Sequence, residues 1–193
     1  MPAKRAGATA AIPCAVILCL ATVVSPLDGA LYEAANRGYF EEVTSLLDAG
    51  ADANAPIPGD GSALIAAARR GDLEIARLLI RRGADPNLAV PGDGSALIAA
   101  ARNRQVALVT LLLDSGATVD QVVDGDEHAL IQASGGGHLA VVRLLVERGA
   151  DVNARVLAPT FRGGDEWRSP LSMATRRGHA DVVAFLTTAG AQR

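Results

Sequence analysis

Ser62-Ala63-Leu64-Ile65-Ala66-Ala67-Ala68-Arg69-Arg70-Gly71-Asp72-Leu73-Glu74-Ile75-Ala76-Arg77-Leu78-Leu79-Ile80-Arg81-Arg82-Gly83 carries the signals of two short helices in succession. Ser62 stands where an N-cap oxygen is wanted, and Ala63 to Arg70 makes a helix that ends at Gly71. A second helix from Leu73 to Ile80 turns Leu73, Ile75, Ala76, Leu78 and Leu79 towards neighbours. It stops at Gly83, a residue type that tolerates the left-handed conformation past a helix end. Neither helix is long enough to bury its apolar face alone, so each pair must stack on another.

The same unit recurs along the chain. Ala30-Leu31, Ala63-Leu64, Ala96-Leu97 and Ala129-Leu130 repeat every 33 residues, as do Gly50-Ala51, Gly83-Ala84, Gly116-Ala117 and Gly149-Ala150. The fifth unit, marked by Pro170-Leu171 and Gly190-Ala191, follows after 41 residues, which is an insertion of eight. The repeats run over 29–61, 62–94, 95–127, 128–160 with the insertion continuing to 168, and 169–193. Aromatics make up 3% of the chain, and its 50% apolar share is dominated by Ala, Leu and Val, which suits thin helical layers. The fold class this predicts is all-α, a solenoid of five helix-turn-helix repeats joined by short hairpin loops.

The stretch Gly137-His138-Leu139-Ala140-Val141-Val142-Arg143-Leu144-Leu145-Val146-Glu147-Arg148-Gly149-Ala150-Asp151-Val152-Asn153 resembles the ankyrin-repeat family, and the likeness spans all five units. The family's Thr-Pro-Leu-His opening appears here as Ser62-Ala63-Leu64-Ile65, Ser95-Ala96-Leu97-Ile98, His128-Ala129-Leu130-Ile131 and Ser169-Pro170-Leu171-Ser172. Exchanging that histidine for isoleucine replaces an inter-repeat hydrogen bond with apolar packing. The resemblance implies that the ends of the first helices face a binding groove, where Arg37, Arg69, Arg70, Arg102, Arg176 and Arg177 would form a basic ladder for a carboxylate-bearing protein. The same arginines also suit helix C-termini for reasons of the helix dipole alone. Two segments, Ala129 to His138 and Glu166 to Ala174, are similar to ankyrin tails of bacterial membrane zinc metallopeptidases of the β-lactam-sensor type. That likeness implies an envelope protein that binds or regulates an enzyme. An accessory or stress-protection role beside a periplasmic enzyme such as catalase is the alternative.

Lys4 and Arg5 precede an uncharged stretch from Ala6 to Val24, the order of a secretory signal, and residues 1–28 read as a signal peptide or an N-terminal membrane anchor. Export with cleavage gives a periplasmic or secreted body, and an uncleaved segment gives an inner-membrane anchor with the body facing the periplasm. Cys14 and Cys19 both fall in this stretch, so the repeats hold no thiol and depend on packing. The net charge of −3 becomes −5 without Lys4 and Arg5, which gives no electrostatic drive towards nucleic acid. The body is expected to be a monomer that touches membrane only through its N-terminal segment.

No residue pattern points to catalysis, a cofactor or a metal. His128, His138 and His179 show no ligand spacing, and His138 and His179 occupy the family's Gly-His position, where the ring supports the loop between helices. Asp60, Asp93 and Asp126 share one repeat phase beside glycine, as turn residues do. Arg104 replaces the glycine found at Gly38, Gly71, Gly137 and Gly178, which predicts a non-glycine residue in a left-handed turn. Ser134-Gly135-Gly136-Gly137 predicts a frayed first helix in repeat four. The insertion from Val156 to Arg168 reads as a glycine-containing loop, and its Phe161, Arg162, Trp167 and Arg168 are of types enriched at binding hot spots. The function expected is a non-enzymatic protein–protein interaction module.

Overall fold

The structure, a computed structural model, describes residues 25–123, 127–159 and 165–192. The residues Lys4, Arg5, Cys14, Cys19, Asp126, Phe161 and Arg162, and with them nearly all of the proposed export segment, lie outside the described residues.

The described residues form five helix pairs. These are α1 (Pro26–Arg37) with α2 (Phe40–Asp48), α3 (Ala63–Arg70) with α4 (Leu73–Arg81), and α5 (Ala96–Arg102) with α6 (Val106–Asp114). α7 (Ala129–Gly135) with α8 (Leu139–Glu147), and α9 (Pro170–Arg177) with α10 (Ala180–Thr188), complete the row. The first helices stack on one another in chain order, and the second helices stack in a row of their own. Short antiparallel hairpins project between pairs: β1 (Ala89–Val90) with β2 (Gly94–Ser95), and β3 (Val156–Pro159) with β4 (Asp165–Arg168). A single bridge, Ile57 to Gly61, holds the corresponding turn after repeat one.

The caps read from the sequence set the helix ends. Ser62, Ser95 and Ser169 each accept a hydrogen bond from the backbone three residues on, at 3.4, 3.4 and 3.2 Å. Gly71 ends α3 in the left-handed conformation, where its N–H reaches the carbonyls of Ala67 and Ala68. α1 begins at Pro26, inside the segment assigned to export, because Ser25 caps it and proline suits the first helical position. The side chain of Asp28 then accepts from the backbone of Asp52 at 2.9 Å, tying that first turn to the end of the repeat.

The core is one continuous layer. Leu31, Leu64, Leu97, Leu130 and Leu171 occupy equivalent positions and are all buried, with the alanines of α3 and α5 between them. Ala66, Ala67 and Ala68 have no measurable exposure, so the first helices approach with almost nothing between their backbones. Repeat five differs on its outer side. Where internal repeats carry Ile65, Ile98 and Ile131 it carries Ser172, and where they carry Ile80, Leu113 and Val146 it carries Thr187. These hydroxyls rim a groove of about 630 Å³ floored by Leu171, Val183 and Ala191. The Thr187 hydroxyl donates to Val183 at 2.8 Å and that of Ser172 to Ser169 at 3.0 Å, so the end face meets water with its polar groups satisfied.

An amide ladder fastens successive repeats on the other side. Asn54 donates to the Gly83 carbonyl at 2.8 Å and accepts from the Asp85 backbone at 2.7 Å. Asn87 does the same with Gly116 and Thr118, and Asn153 with Gly190 and Gln192. At repeat three the position is Asp120, which accepts from the Asp151 backbone at 3.0 Å and lacks the amide N–H that Asn offers a glycine carbonyl of the next repeat. Asp120→Asn is therefore expected to raise the unfolding free energy by about 1 kcal/mol. The readout is a higher urea midpoint at unchanged slope, and a lower midpoint would contradict the ladder.

Candidate functional site

The ladder arginines extend from the last turns of the first helices, and the structure gives them different surroundings. Arg69 donates to the Asp60 carbonyl at 2.9 Å and to the Asp93 carboxylate at 2.6 Å, clamping two successive hairpins together. Asp93, read from the sequence as a turn residue, is thus also the partner of Arg69. Behind this pair Tyr32 is buried, and burial first, then the charge of Asp60, raises its hydroxyl pKa above the ordinary tyrosine value. Arg70 donates to the Asn36 carbonyl at 3.2 Å and lies across Gly38, where a Cβ would sit 2.7 Å from its guanidinium. Arg177 donates to the Gly135 carbonyl at 3.2 Å, and Arg37 pairs with Glu33 at 3.3 Å one turn away on α1. Arg176 is paired with Glu166.

Of the six, Arg102 alone is left with no side-chain hydrogen bond or ion pair among the described residues, and it is exposed. It shares a notch of about 340 Å³ with Arg69, Gly92, Ala99 and Asn103. The floor is small because Ala99 and Gly92 carry little or no side chain. Asn103 fixes the edge by donating to the Arg69 carbonyl at 3.0 Å. Two guanidinia therefore border a notch with neutral walls, one held by Asp93 and one unpaired among the described residues. Such a notch can take a carboxylate through a bidentate fork.

The insertion is not the loop that its glycines suggested. β3 and β4 pair in register, with Leu157 opposite Trp167 and Ala158 opposite Glu166. The alternation of a strand decides which residues face out: Leu157 is 52% exposed and Trp167 65%, whereas Ala158 is buried. Arg168, on the body side, pairs with Glu127 at 2.6 Å and Glu166 at 2.9 Å. Hydrogen bonds from Arg176 and then Arg168 hold the Glu166 carboxyl below its ordinary range. The anchor is therefore fully charged above that range and is lost only as the pH falls through the lowered value. Sequence reading passed over Glu127 and Glu166, although Glu166 and Arg168 two apart in a strand do share a face.

At the turns between helices, His138 Nε2 lies 2.9 Å from the Arg102 carbonyl and His179 Nε2 lies 2.9 Å from that of Gly135. Each ring closes the end of a first helix. The glycine run makes room for both: a Cβ on Gly136 would lie 2.5 Å from the His138 ring, and one on Gly137 2.5 Å from that of His179. α7 consequently does not fray, and it spans Ala129–Gly135 at the same length as α5. Arg104 has φ 61°, the left-handed turn that its position predicts.

Comparison with protein families gives matches to two models described as ankyrin repeats. One covers residues 31–80, and the other covers 64–156 and 97–192, so nearly the whole described region is matched. Comparison with curated proteins gave no match.

Proposed function

The chain belongs to the ankyrin-repeat family, whose repeats are protein–protein interaction modules, and from that premise we propose a non-enzymatic binding module of the bacterial envelope. In this reading residues 1–28 export or anchor the chain, the repeats face the periplasm, and the partner is a membrane or periplasmic enzyme that the solenoid binds or regulates. The partner presents a carboxylate to the notch at Arg102 and Arg69 and an apolar surface to Trp167 and Leu157.

The observation that carries this reading is the Arg102 guanidinium, unpaired among the described residues, beside the small-floored notch. Arg69, the other arginine of the notch, is tied to the Asp60 carbonyl and the Asp93 carboxylate, which keeps it from folding across Arg102. Trp167 adds exposed aromatic area on a hairpin held by the Arg168–Glu127 and Arg176–Glu166 ion pairs, and a rigid aromatic loses little conformational entropy on contact. Arg168, which supports that hairpin, acts here as a positioning residue.

Photo-crosslinking groups placed at Arg102, at Trp167 and at the outward Glu74 of α4 test the surface. Adducts with a membrane or periplasmic protein are expected from the first two positions, and Arg102→Glu with Trp167→Ala is expected to lower capture at least about tenfold with an unchanged helical melt. Equal adducts from Glu74, or unaltered capture by the double variant, would reject these surfaces. A C-terminal reporter enzyme active only outside the cytoplasm tests the address separately.

A further inference from the structure

Among the described residues Arg104 alone holds a positive φ, 61°, without being glycine. The other repeats make the same turn with Gly38, Gly71, Gly137 and Gly178, and a side chain there is strained. The side chain does not help the turn to close. The Val106 N–H donates to the Arg104 carbonyl at 3.2 Å, and Leu139 and Ala180 donate to Gly137 and Gly178 at 3.1 Å, so the backbone bond is the same with or without a Cβ. The Arg104 guanidinium is exposed and makes no hydrogen bond or ion pair among the described residues.

Arg104 lines a pocket of about 410 Å³ with Arg143 and Asp181, whose other walls are Gly137, Leu139 and Ala140. Three successive repeats contribute to it: the third gives Arg104, the fourth Arg143 and the fifth Asp181. The Arg143 guanidinium stacks over the Phe185 ring, 4.6 Å from its centre. Stacking fixes the plane of the group and leaves the N–H donors at its rim free. Arg143 likewise makes no hydrogen bond or ion pair among the described residues. Asp181 accepts from the Val182 backbone at 2.9 Å.

Repeat two shows what is particular to this place. Arg77 stands there where repeat four has Arg143, but the turn in the repeat before it is made by Gly38, and the repeat after it has Ala107 where Asp181 stands. The strained arginine and the stacked one therefore meet in one pocket. A strained side chain that does nothing for its own turn is explained by a contact outside the chain.

We propose that Arg104 and Arg143 form a second carboxylate site, on the helix-turn edge of the solenoid, for an acidic segment of a partner protein; this rests on reading the repeats as a binding module. Two guanidinium forks suit carboxylates, and Asp181 in the same pocket repels the double charge of a phosphate more than the single charge of a carboxylate. The chain as a whole is acidic, at −3, so attraction of an acidic segment has to be local.

The test is fluorescence anisotropy of a labelled hexaglutamate peptide, blocked at both ends, titrated with the full chain in uncharged detergent micelles. Arg104→Gly and Arg143→Gln are each expected to weaken binding about tenfold, and Arg77→Gln is expected to leave it unchanged. Arg104→Gly is also expected to raise the urea midpoint, because the strain is relieved; a side chain kept for folding would give a lower one. Absence of saturable binding, equal binding by the Arg104 and Arg143 variants, a lower urea midpoint, or displacement of the peptide by an equal concentration of inorganic phosphate overturns the proposal. Arg102→Gln separates the two sites. Loss of binding in that variant alone sinks the Arg104 site and leaves the proposed function standing, whereas loss in the Arg104 and Arg143 variants alone supports this site and counts against the Arg102 notch.

Discussion

Leu97→Ala is expected to lower the unfolding free energy by about 3–4 kcal/mol and the melting temperature by roughly 6–12 °C. Leu97 is 1% exposed, in the middle of the row of first helices. α5 is flanked by α3 and α7, and α6 packs behind it. Both flanking helices are held against α5 through fully buried alanine and isoleucine faces, so they have little freedom to move into the space that the lost methyls leave. The cavity term therefore adds to the transfer term. The same change at Leu171 is expected to cost less, because that residue, though 6% exposed, lines the open groove of repeat five and is packed on fewer sides. Urea unfolding followed by circular dichroism measures both. A loss below about 1 kcal/mol at Leu97 would mean that the layer collapses freely.

Gly137→Ala is expected to cost about 2–3 kcal/mol, although the position is partly exposed and the change adds one methyl. Gly137 has φ 70°, which strains any L residue, and the new Cβ would lie 2.5 Å from His179 Nδ1. The ring would have to leave, and with it the bond from Nε2 to the Gly135 carbonyl. That carbonyl ends α7, so its loss is felt by the helix as well as the turn. The two parts can be separated in a double-mutant cycle. In a His179→Ala background the clash is gone, and the cost of Gly137→Ala should shrink to about 1–2 kcal/mol. An equal cost in both backgrounds would show that the ring contact contributes nothing.

These two sites illustrate how legible the chain was. The position of Leu97 could be read directly, because an apolar residue recurring every 33 residues has nowhere to lie but the stacked layer. The left-handed turn at Arg104 was also readable, since three of the four equivalent turns that a further repeat follows hold glycine. The effect of the glycine run in repeat four was misread. Counted as helix breakers these residues predict fraying, whereas their missing side chains give space to His138 and His179. Propensity describes a helix by itself and is blind to a ring arriving from the next turn or the next repeat.

The insertion shows the same limit. Its glycines suggested a loop, and the paired strands were hidden because two runs of four strand residues give too short an alternation to stand out. The arginines read from the sequence lie along the helix ends, yet their division into clamps and one group unpaired among the described residues was not visible. Arg69 and Asp93 are 24 residues apart, Arg70 and Asn36 are 34 apart, and Arg177 and Gly135 are 42 apart.

The sequence by itself determined that this chain stacks five pairs of short helices, because caps, glycines and apolar positions recur in phase and neither helix of a pair can hide its face alone. Only the tertiary structure decided which side chains are tied into that stack and which are left for a partner. Local patterning sets a helix and its buried side through interactions within a few residues. The pairing of a long charged side chain depends on what the neighbouring repeat places within about 3 Å of it, and that distance exists only once the repeats are stacked.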